Sequence, residues 1–129
     1  MAQYPTDVRY TKDHEWARRE GDLVRVGISA FAVAQLGDVT LIDLPSVGGK
    51  VKANERFGDI ESVKTVSELF APVSGEIVEV NADLDDNPEA VNDAPYEGGW
   101  FVVIKPSDPA EYDGLMDAAA YEAFLSTLD

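Results

Sequence analysis

A single lysine, Lys64, lies where two strand-like runs meet, and this junction constrains the fold more than any other feature of the sequence. Ile60 and Val63 precede it and Val66 and Leu69 follow it, but no Gly, Pro, Asn or Asp between Ile60 and Leu69 offers an ordinary turn. Such flanks are typical of two short strands joined as a hairpin, over about residues 57–72. A lysine at the tip would project into solvent, because a charged ammonium is rarely buried. The junction therefore predicts an exposed amine that can serve as an attachment point.

Short segments of alternating apolar and polar residues, separated by turn residues, recur along the chain. In Asp38–Leu44, alternation places Val39 and Leu41 on one face of a strand and Ile42 on the other. Residues 82–95 are polar and are predicted to form mostly loop with one helical turn. Further strands are predicted within Val8–Trp16, Leu23–Ile28, Glu76–Asn81 and Trp100–Lys105.

Short helices are predicted outside these strands from their capping residues. Ser29 would cap a helix over Ala30–Leu36 that Gly37 ends. Asp108 and the proline after it predict a second short helix, and Asp117 would cap a final one. Many short strands with helices at the periphery predict a mainly β fold, a small antiparallel sandwich or flattened barrel, as one domain over residues 1–129.

Charge and cysteine content narrow the classes of function. The net charge of −15 disfavours nucleic acid and anionic membrane surfaces, and it favours partners with basic docking surfaces. The chain has no cysteine, which excludes disulfides, zinc–thiolate sites and cysteine nucleophiles. No apolar run is long enough to span a membrane, and Met1–Asp7 lacks the basic and apolar regions of a signal peptide. We therefore expect a soluble protein of the bacterial cytoplasm.

Other polar residues give weaker functional signals. His14 is the only histidine, and as a general base it would need a nucleophile and an orienting partner. The spacing of Ser29 and Asp13 does not indicate a triad, so a hydrogen-bonded structural histidine is the favoured interpretation. The acidic loop 83–87 lacks the Gly and Glu spacing of a calcium-binding loop and is interpreted as a solvated loop. Four acidic residues around the hairpin are predicted to form a collar that attracts basic partners, namely Glu55, Asp59, Glu61 and Glu68.

A set of short motifs spans nearly the whole chain. They are Tyr10–Trp16, Val26–Ser29, Gln35–Asp38, Glu61–Lys64, Ala71–Glu76, Val80–Asn81, Asp86–Glu89, Pro95–Tyr96, Gly99–Trp100 and Ile104–Pro106. In this order and at this spacing the chain resembles the H-protein family of the glycine cleavage system. The resemblance implies a barrel-sandwich hybrid fold of the lipoyl-domain type, with short peripheral helices and a C-terminal helix.

The resemblance also implies a cofactor and a function. Lys64, in the motif formed with Glu61, Ser62 and Val63, would carry lipoate as an amide on its ε-nitrogen. The protein would be a non-catalytic carrier that takes the aminomethyl group of glycine from a PLP-dependent glycine decarboxylase (P protein) to a tetrahydrofolate-dependent aminomethyltransferase (T protein). Dihydrolipoamide dehydrogenase (L protein) would reoxidise it, and lipoylating enzymes would load it.

Members of this family shelter the loaded arm against the protein surface. The positions that match this cleft are Asp13, Glu15, Ile28, Gln35 and Glu68. Among them, Glu15 would bind the ammonium of the carried group through a charge-assisted hydrogen bond.

Several alternatives remain open at the level of sequence. Biotin is disfavoured because biotin acceptors resemble one another in having methionines on both sides of the lysine, where this chain has Val63 and Thr65. A lipoyl relay that supplies other enzymes would have the same motifs. A stand-alone hydrolase that uses His14, and an interaction module in which Lys64 is never modified, are the alternatives from other classes.

Overall fold

The computed structural model describes residues 4–128, so Met1–Gln3, part of the segment used to predict location, and Asp129 lie outside the described residues. The strands are β1 Arg9–Tyr10, β2 Glu15–Glu20, β3 Leu23–Ile28, β4 Val39–Asp43, β5 Lys50–Val51, β6 Arg56–Ser62, β7 Val66–Phe70, β8 Gly75–Val80 and β9 Val102–Pro106. The helices are α1 Ala30–Leu36, α2 Ala90–Asp93, α3 Ala110–Asp113 and α4 Ala118–Leu125.

The strands form two antiparallel sheets that share a core. One sheet has six strands in the order β1-β2-β3-β9-β8-β5, and the other has three in the order β4-β6-β7. Val26 and Ile104 from the larger sheet belong to the same buried cluster as Ile42, Ile60 and Leu69 from the smaller one. Burial of this apolar surface between the sheets is the main stabilising contribution. The predicted mainly β, barrel-sandwich architecture with short helices is confirmed.

The side chains of β4 do not alternate between the core and solvent as predicted. Val39 and Ile42 are both buried, whereas Leu41 is half exposed. The cause is a register irregularity in the pairing of β4 with β6 between Val39 and Leu41. A bulge of this kind adds one residue to the strand, so positions on its two sides change face. The prediction that Val39 and Leu41 share a face, opposite Ile42, is wrong.

The capping predictions for α1 and α4 are confirmed. The Ser29 hydroxyl accepts the N–H of Ala32 at the start of α1, and Asp117 accepts the N–H of Ala120 at the start of α4. Gly37 ends α1 with a positive φ of 77°, a conformation that favours glycine.

The acidic segment 82–95 contains two helical turns, a 3₁₀ turn at Ala82–Asp85 and α2, where one was predicted. Each turn buries one apolar residue, Leu84 and Val91. These two anchors attach an otherwise polar segment to the core.

A second buried cluster attaches α4 to the start of the larger sheet. The rings of Tyr10 and Tyr121 stack with centroids 4.3 Å apart, and both side chains are fully buried. Trp16 packs in the same cluster and donates its indole N–H to the carbonyl of Pro95 over 2.9 Å. The final helix therefore lies beside the residues that surround His14. None of the helices in residues 4–128 is long and apolar enough to cross a membrane.

Candidate functional site

Lys64 lies at the tip of the hairpin formed by β6 and β7. The turn is closed by Ser62, whose backbone N–H donates to the carbonyl of Thr65 over 2.8 Å. The Ser62 hydroxyl accepts the N–H groups of Lys64 and Thr65, each over 3.2 Å. A side-chain oxygen thus completes a turn that contains no glycine or asparagine. The hairpin strands span Arg56–Phe70, close to the predicted 57–72.

The Lys64 side chain is exposed and forms no ion pair with any carboxylate in residues 4–128. Neither Glu61 nor Glu68, the acidic residues nearest to Lys64 in the hairpin sequence, therefore holds its ammonium in an ion pair. Of the four apolar residues around the tip, Ile60 and Leu69 are buried, but Val63 and Val66 are 70% and 62% exposed. Core packing therefore explains the apolar residues Ile60 and Leu69, farther from the tip, but not Val63 and Val66 beside Lys64.

A cavity of about 510 Å³ opens beside the hairpin. Thr65, the residue after Lys64, and Ser67 form part of its wall. The structure brings together in its lining all five residues that the sequence placed in a cleft: Asp13, Glu15, Ile28, Gln35 and Glu68. The rest of the lining is largely apolar and comes from α1, the hairpin and the C-terminus, including Phe31, Leu36, Ile60, Leu69 and Leu128.

Glu15 is the most unusual group in this cavity because its carboxyl is 1% exposed and has no basic partner among the described residues. One oxygen accepts the hydroxyl of Thr11 over 2.8 Å and the other accepts the N–H of Phe70 over 3.2 Å. Burial raises the pKa of Glu15 to about 8, although these hydrogen bonds oppose the shift. Without a cation nearby, Glu15 is mostly protonated at neutral pH.

His14 adjoins the same cavity and is held by hydrogen bonds. Its Nδ1 lies 2.8 Å from the Tyr121 hydroxyl, which in turn lies 2.7 Å from the hydroxyl of Ser29. Burial lowers the pKa of His14. Ser29 also caps α1, so it is part of the scaffold and not a free nucleophile. The interpretation of His14 as a hydrogen-bonded structural residue agrees with this geometry.

One arginine lies within the predicted acidic collar, whose attraction of basic partners stays a prediction. The Arg56 guanidinium donates to Asp59, with Nε 3.0 Å from Oδ1, and its Nε lies 3.7 Å from a carboxylate oxygen of Glu68. Arg56 holds the pKa of Asp59 below its usual range. Arg56 offsets only one of the four negative charges, so the group keeps a net negative charge, and the sequence pattern did not indicate that Arg56 would turn toward Asp59 and Glu68.

Some residues of the cavity were not identified from the sequence. Ser67 and Phe31 line the cavity but lie outside the motifs, and Thr11, which donates to Glu15, lies within the Tyr10–Trp16 motif but was given no role there. The period-2 pattern of β7 puts Ser67 on the same face as the buried Leu69, and this was the one available signal. In the acidic loop, Asn87 donates to Asp83, and no group of three His, Asp or Glu within residues 4–128 could hold a metal ion.

These features define a class of protein. An unpaired lysine at a hairpin tip, on a two-sheet β scaffold and beside a cavity with a buried carboxyl group, is the arrangement of a barrel-sandwich carrier domain.

Comparison with known proteins gives the family within this class. Residues 8–128 match the family model described as glycine cleavage H-protein, and the chain belongs to that family. The glycine cleavage system H protein of Anaeromyxobacter sp. (strain K) is 57% identical over 95% of this chain and 96% of its own length. That of Halalkalibacterium halodurans is 52% identical over 98% of both chains. A crystal structure of a glycine cleavage system H protein from Mycobacterium marinum matches with a TM-score of 0.87 at 42% identity, covering 95% of this chain and 98% of that one.

Family membership decides between the classes of function left open by the sequence. The chain is a carrier component of the glycine cleavage system and not a catalytic enzyme, so the hypothesis of a stand-alone hydrolase that uses His14 is wrong. The family is one of lipoyl carriers, and the expected class of cofactor is therefore lipoate.

Proposed function

We propose that Lys64 is the lipoyl attachment site and that the chain acts as one carrier domain, residues 1–129, in glycine cleavage. The observation that carries the proposal is the position of Lys64: its ammonium is exposed and unpaired in the described chain, on a turn fixed by Ser62 and next to the cavity. An ε-amino group in this position can form an amide without loss of a structural contact.

The residues around Lys64 fit a lipoyl group. A cavity of about 510 Å³ whose wall combines polar residues with apolar ones from α1 and the hairpin can hold an aliphatic chain that ends in a disulfide ring. When bound, lipoate supplies the disulfide that takes up the aminomethyl group of glycine, and the chain itself has no cysteine that could do so.

Glu15 is proposed as the counter-ion of the carried amine. A cation that enters the cavity favours the ionised form of this carboxyl group, because it lowers the energy of a buried charge. Thr11 and the N–H of Phe70 already orient both carboxyl oxygens. Asp13 adds negative charge nearby, while Ile28 and the apolar residues of α1 exclude water from the carried group. Gln35 and Glu68 are proposed to complete the wall.

The proposed partners are glycine decarboxylase, aminomethyltransferase, dihydrolipoamide dehydrogenase and the lipoylating enzymes. A tethered group meets successive active sites at a high effective concentration and is not lost by diffusion. The protein's own residues would contribute attachment, shelter and presentation to these enzymes.

The test is the intact mass of the protein after incubation with lipoate, ATP and a lipoate ligase. We expect one lipoyl adduct on the wild-type chain, none on Lys64→Arg, and one on the control Lys50→Arg, which changes another exposed lysine. Absence of the adduct from the wild-type chain, or its survival in Lys64→Arg, would overturn the proposal. Reconstitution with decarboxylase, aminomethyltransferase and glycine then separates a glycine-cleavage carrier from a lipoyl relay, because only the former supports CO₂ exchange.

A further inference from the structure

Asn92 lies on α2, outside the cavity, yet it holds the segment of chain on which the hairpin tip rests. Its amide nitrogen donates to the carbonyl of Gly37 over 2.8 Å, and its amide oxygen accepts the N–H of Val39 over 2.9 Å. Both functional atoms of one side chain are thus used to fix Gly37–Val39, which we call the ledge. Because both bonds join residues more than 50 positions apart, they fix the position of the ledge and not its local helix or strand geometry.

The hairpin tip is attached to this ledge. The backbone N–H of Val63 donates to the carbonyl of Asp38 over 3.1 Å. This bond joins the residue before Lys64 to the middle of the ledge. The position of the tip therefore depends on the position of the ledge.

The Lys64 side chain itself passes over the first residue of the ledge. A Cβ atom at Gly37 would lie 3.4 Å from Cε of Lys64 and 4.0 Å from both Cδ and Nζ. These are ordinary van der Waals distances, so the lysine stem packs directly over the position of Gly37. Gln35 and Leu36, immediately before the ledge, and Thr65, immediately after Lys64, line the cavity. The ledge thus lies between the base of the lysine and the mouth of the cavity.

The helix that carries Asn92, α2, is anchored in the core. Val91, its neighbour in α2, is fully buried. Gly99 packs so closely against α2 that a Cβ there would lie 2.8 Å from the carbonyl oxygen of Ala90. Because α2 is fixed to the body of the protein in this way, Asn92 can hold the ledge in a constant position.

We propose that Asn92 is a positioning residue for the carrier arm: by fixing Gly37–Val39 it directs the Lys64 stem over Gly37, so that an attached group begins at the mouth of the cavity. This inference rests on the proposed attachment at Lys64, but its first test does not. Asn92 is not among the residues that line the cavity, and its side chain hydrogen-bonds to Gly37 and Val39 of the ledge and not to Lys64.

The first test is amide hydrogen exchange in the unmodified protein. In Asn92→Ala we expect exchange at Val63 to accelerate about fivefold or more, which corresponds to the loss of one net hydrogen bond. Exchange at Val103, in the core of the larger sheet, should stay within about twofold of wild type. Asn92→Asp keeps the acceptor for Val39 but loses the donor to Gly37, so it should also accelerate exchange at Val63.

The matched control is Asn87→Ala. Asn87 lies three residues before α2, and its side chain donates only to Asp83 in an exposed local contact, so Val63 should exchange as in wild type. Unchanged exchange at Val63 in Asn92→Ala would overturn the proposal. An equal acceleration at Val63 and Val103 would also overturn it, because it would show a global loss of stability.

The second test uses the lipoylated protein and measures how fast a water-soluble phosphine reduces the lipoyl disulfide. An arm that no longer begins at the cavity mouth should react about fivefold faster in Asn92→Ala, approaching the rate of free lipoamide. An unchanged rate would overturn the role in directing the arm. The two proposals can fail separately: a wild-type chain without a lipoyl adduct refutes attachment at Lys64, whereas the exchange at Val63 still decides whether Asn92 holds the tip.

Discussion

The Glu15 carboxyl accepts the backbone N–H of Phe70 over 3.2 Å, and this bond joins the start of β2 in the larger sheet to the end of β7 in the hairpin. A carboxyl group that connects the two sheets is buried beside the cavity, without a compensating base in the described residues. Its state of protonation therefore affects both the stability of the fold and the cavity into which the arm is proposed to fold.

Glu15→Gln should change how stability depends on pH. Burial raises the pKa of Glu15 from 4.5 to about 8 in the folded protein. Between these values the folded state retains a proton that the unfolded state releases, so this group makes stability fall as pH rises from about 4.5 to about 8. His14, whose pKa is lowered by burial, acts in the opposite direction as pH rises toward its ordinary value. Glu15→Gln should remove the fall and stabilise the protein at pH 8 by of order a few kcal/mol.

The measurement is urea unfolding of wild type and Glu15→Gln at several pH values from about 5 to about 8.5. This range covers most of the interval between the pKa values of Glu15 in the unfolded and folded protein. The control is Glu76→Gln, which changes an exposed glutamate on β8. A wild-type stability that rises over the whole window relative to Glu15→Gln would show that Glu15 is ionised in the folded protein.

Tyr121→Phe should destabilise the protein although it removes a single atom. The Tyr121 hydroxyl lies 2.7 Å from the Ser29 hydroxyl and 2.8 Å from Nδ1 of His14. Its removal leaves a buried hydroxyl and a half-buried ring nitrogen without this partner, which typically costs about 1–3 kcal/mol. Tyr112→Phe is the matched control, because Tyr112 is also buried but its hydroxyl has no hydrogen bond within residues 4–128. Equal midpoints of thermal unfolding for the two variants would contradict a structural role for the Tyr121 hydroxyl.

Ser62→Ala should loosen the turn that presents Lys64. The hydroxyl of Ser62 satisfies two backbone N–H groups at the tip, and its loss should cost about 1 kcal/mol locally. We expect slower loading of Lys64 by a lipoate ligase, seen as a lower kcat/KM, with little change in the thermal midpoint. Ser107→Ala, a serine whose side chain makes no hydrogen bond in residues 4–128, is the control. Loading of Ser62→Ala at the wild-type rate would show that the turn does not need this hydroxyl.

The local elements were predictable because they depend on neighbouring residues. Ser29, Gly37 and Asp117 set the ends of α1 and α4 through bonds to residues three or four positions away. Alternation likewise located β3, whose Val24, Val26 and Ile28 share one face and are buried in the core. Which side chains of β4 point into the core was not predictable. The bulge after Val39 arises from pairing with β6 and leaves no pattern in the sequence of β4 itself.

The site was predictable only in part for a related reason. The flanks of Lys64 predicted only an exposed lysine in a hairpin, whereas its proposed role as the attachment site and the five cleft positions came from resemblance to a family rather than from spacing. That they line one cavity depends on contacts between residues far apart in the chain, such as Glu15 with Phe70. The pairing of Arg56 with Asp59 and Glu68, and the hydrogen bonds of Asn92 to Gly37 and Val39, depend on side-chain orientations that appear only once the sheets are packed.

Gly58→Ala should destabilise the hairpin sheet more than a glycine substitution elsewhere. Gly58 lies on β6 where the register shifts, and a Cβ there would lie 2.3 Å from the carbonyl oxygen of Asp43 on β4. Backbone atoms on a paired strand cannot move aside cheaply, so we expect a loss of about 1–3 kcal/mol or more in the free energy of unfolding. Gly98→Ala is the control, since an added Cβ at Gly98 meets nothing within 4 Å.

The measurement is chemical unfolding of both variants, followed by exchange at the amides of β4 and β7. Gly58→Ala should accelerate exchange in these two neighbours of β6 before it affects β3 and β9, because only the smaller sheet must separate to admit the methyl group. Gly98→Ala should stay within about 0.5 kcal/mol of wild type. A Gly58→Ala protein as stable as Gly98→Ala would mean that β4 and β6 do not approach as closely in solution as their register requires.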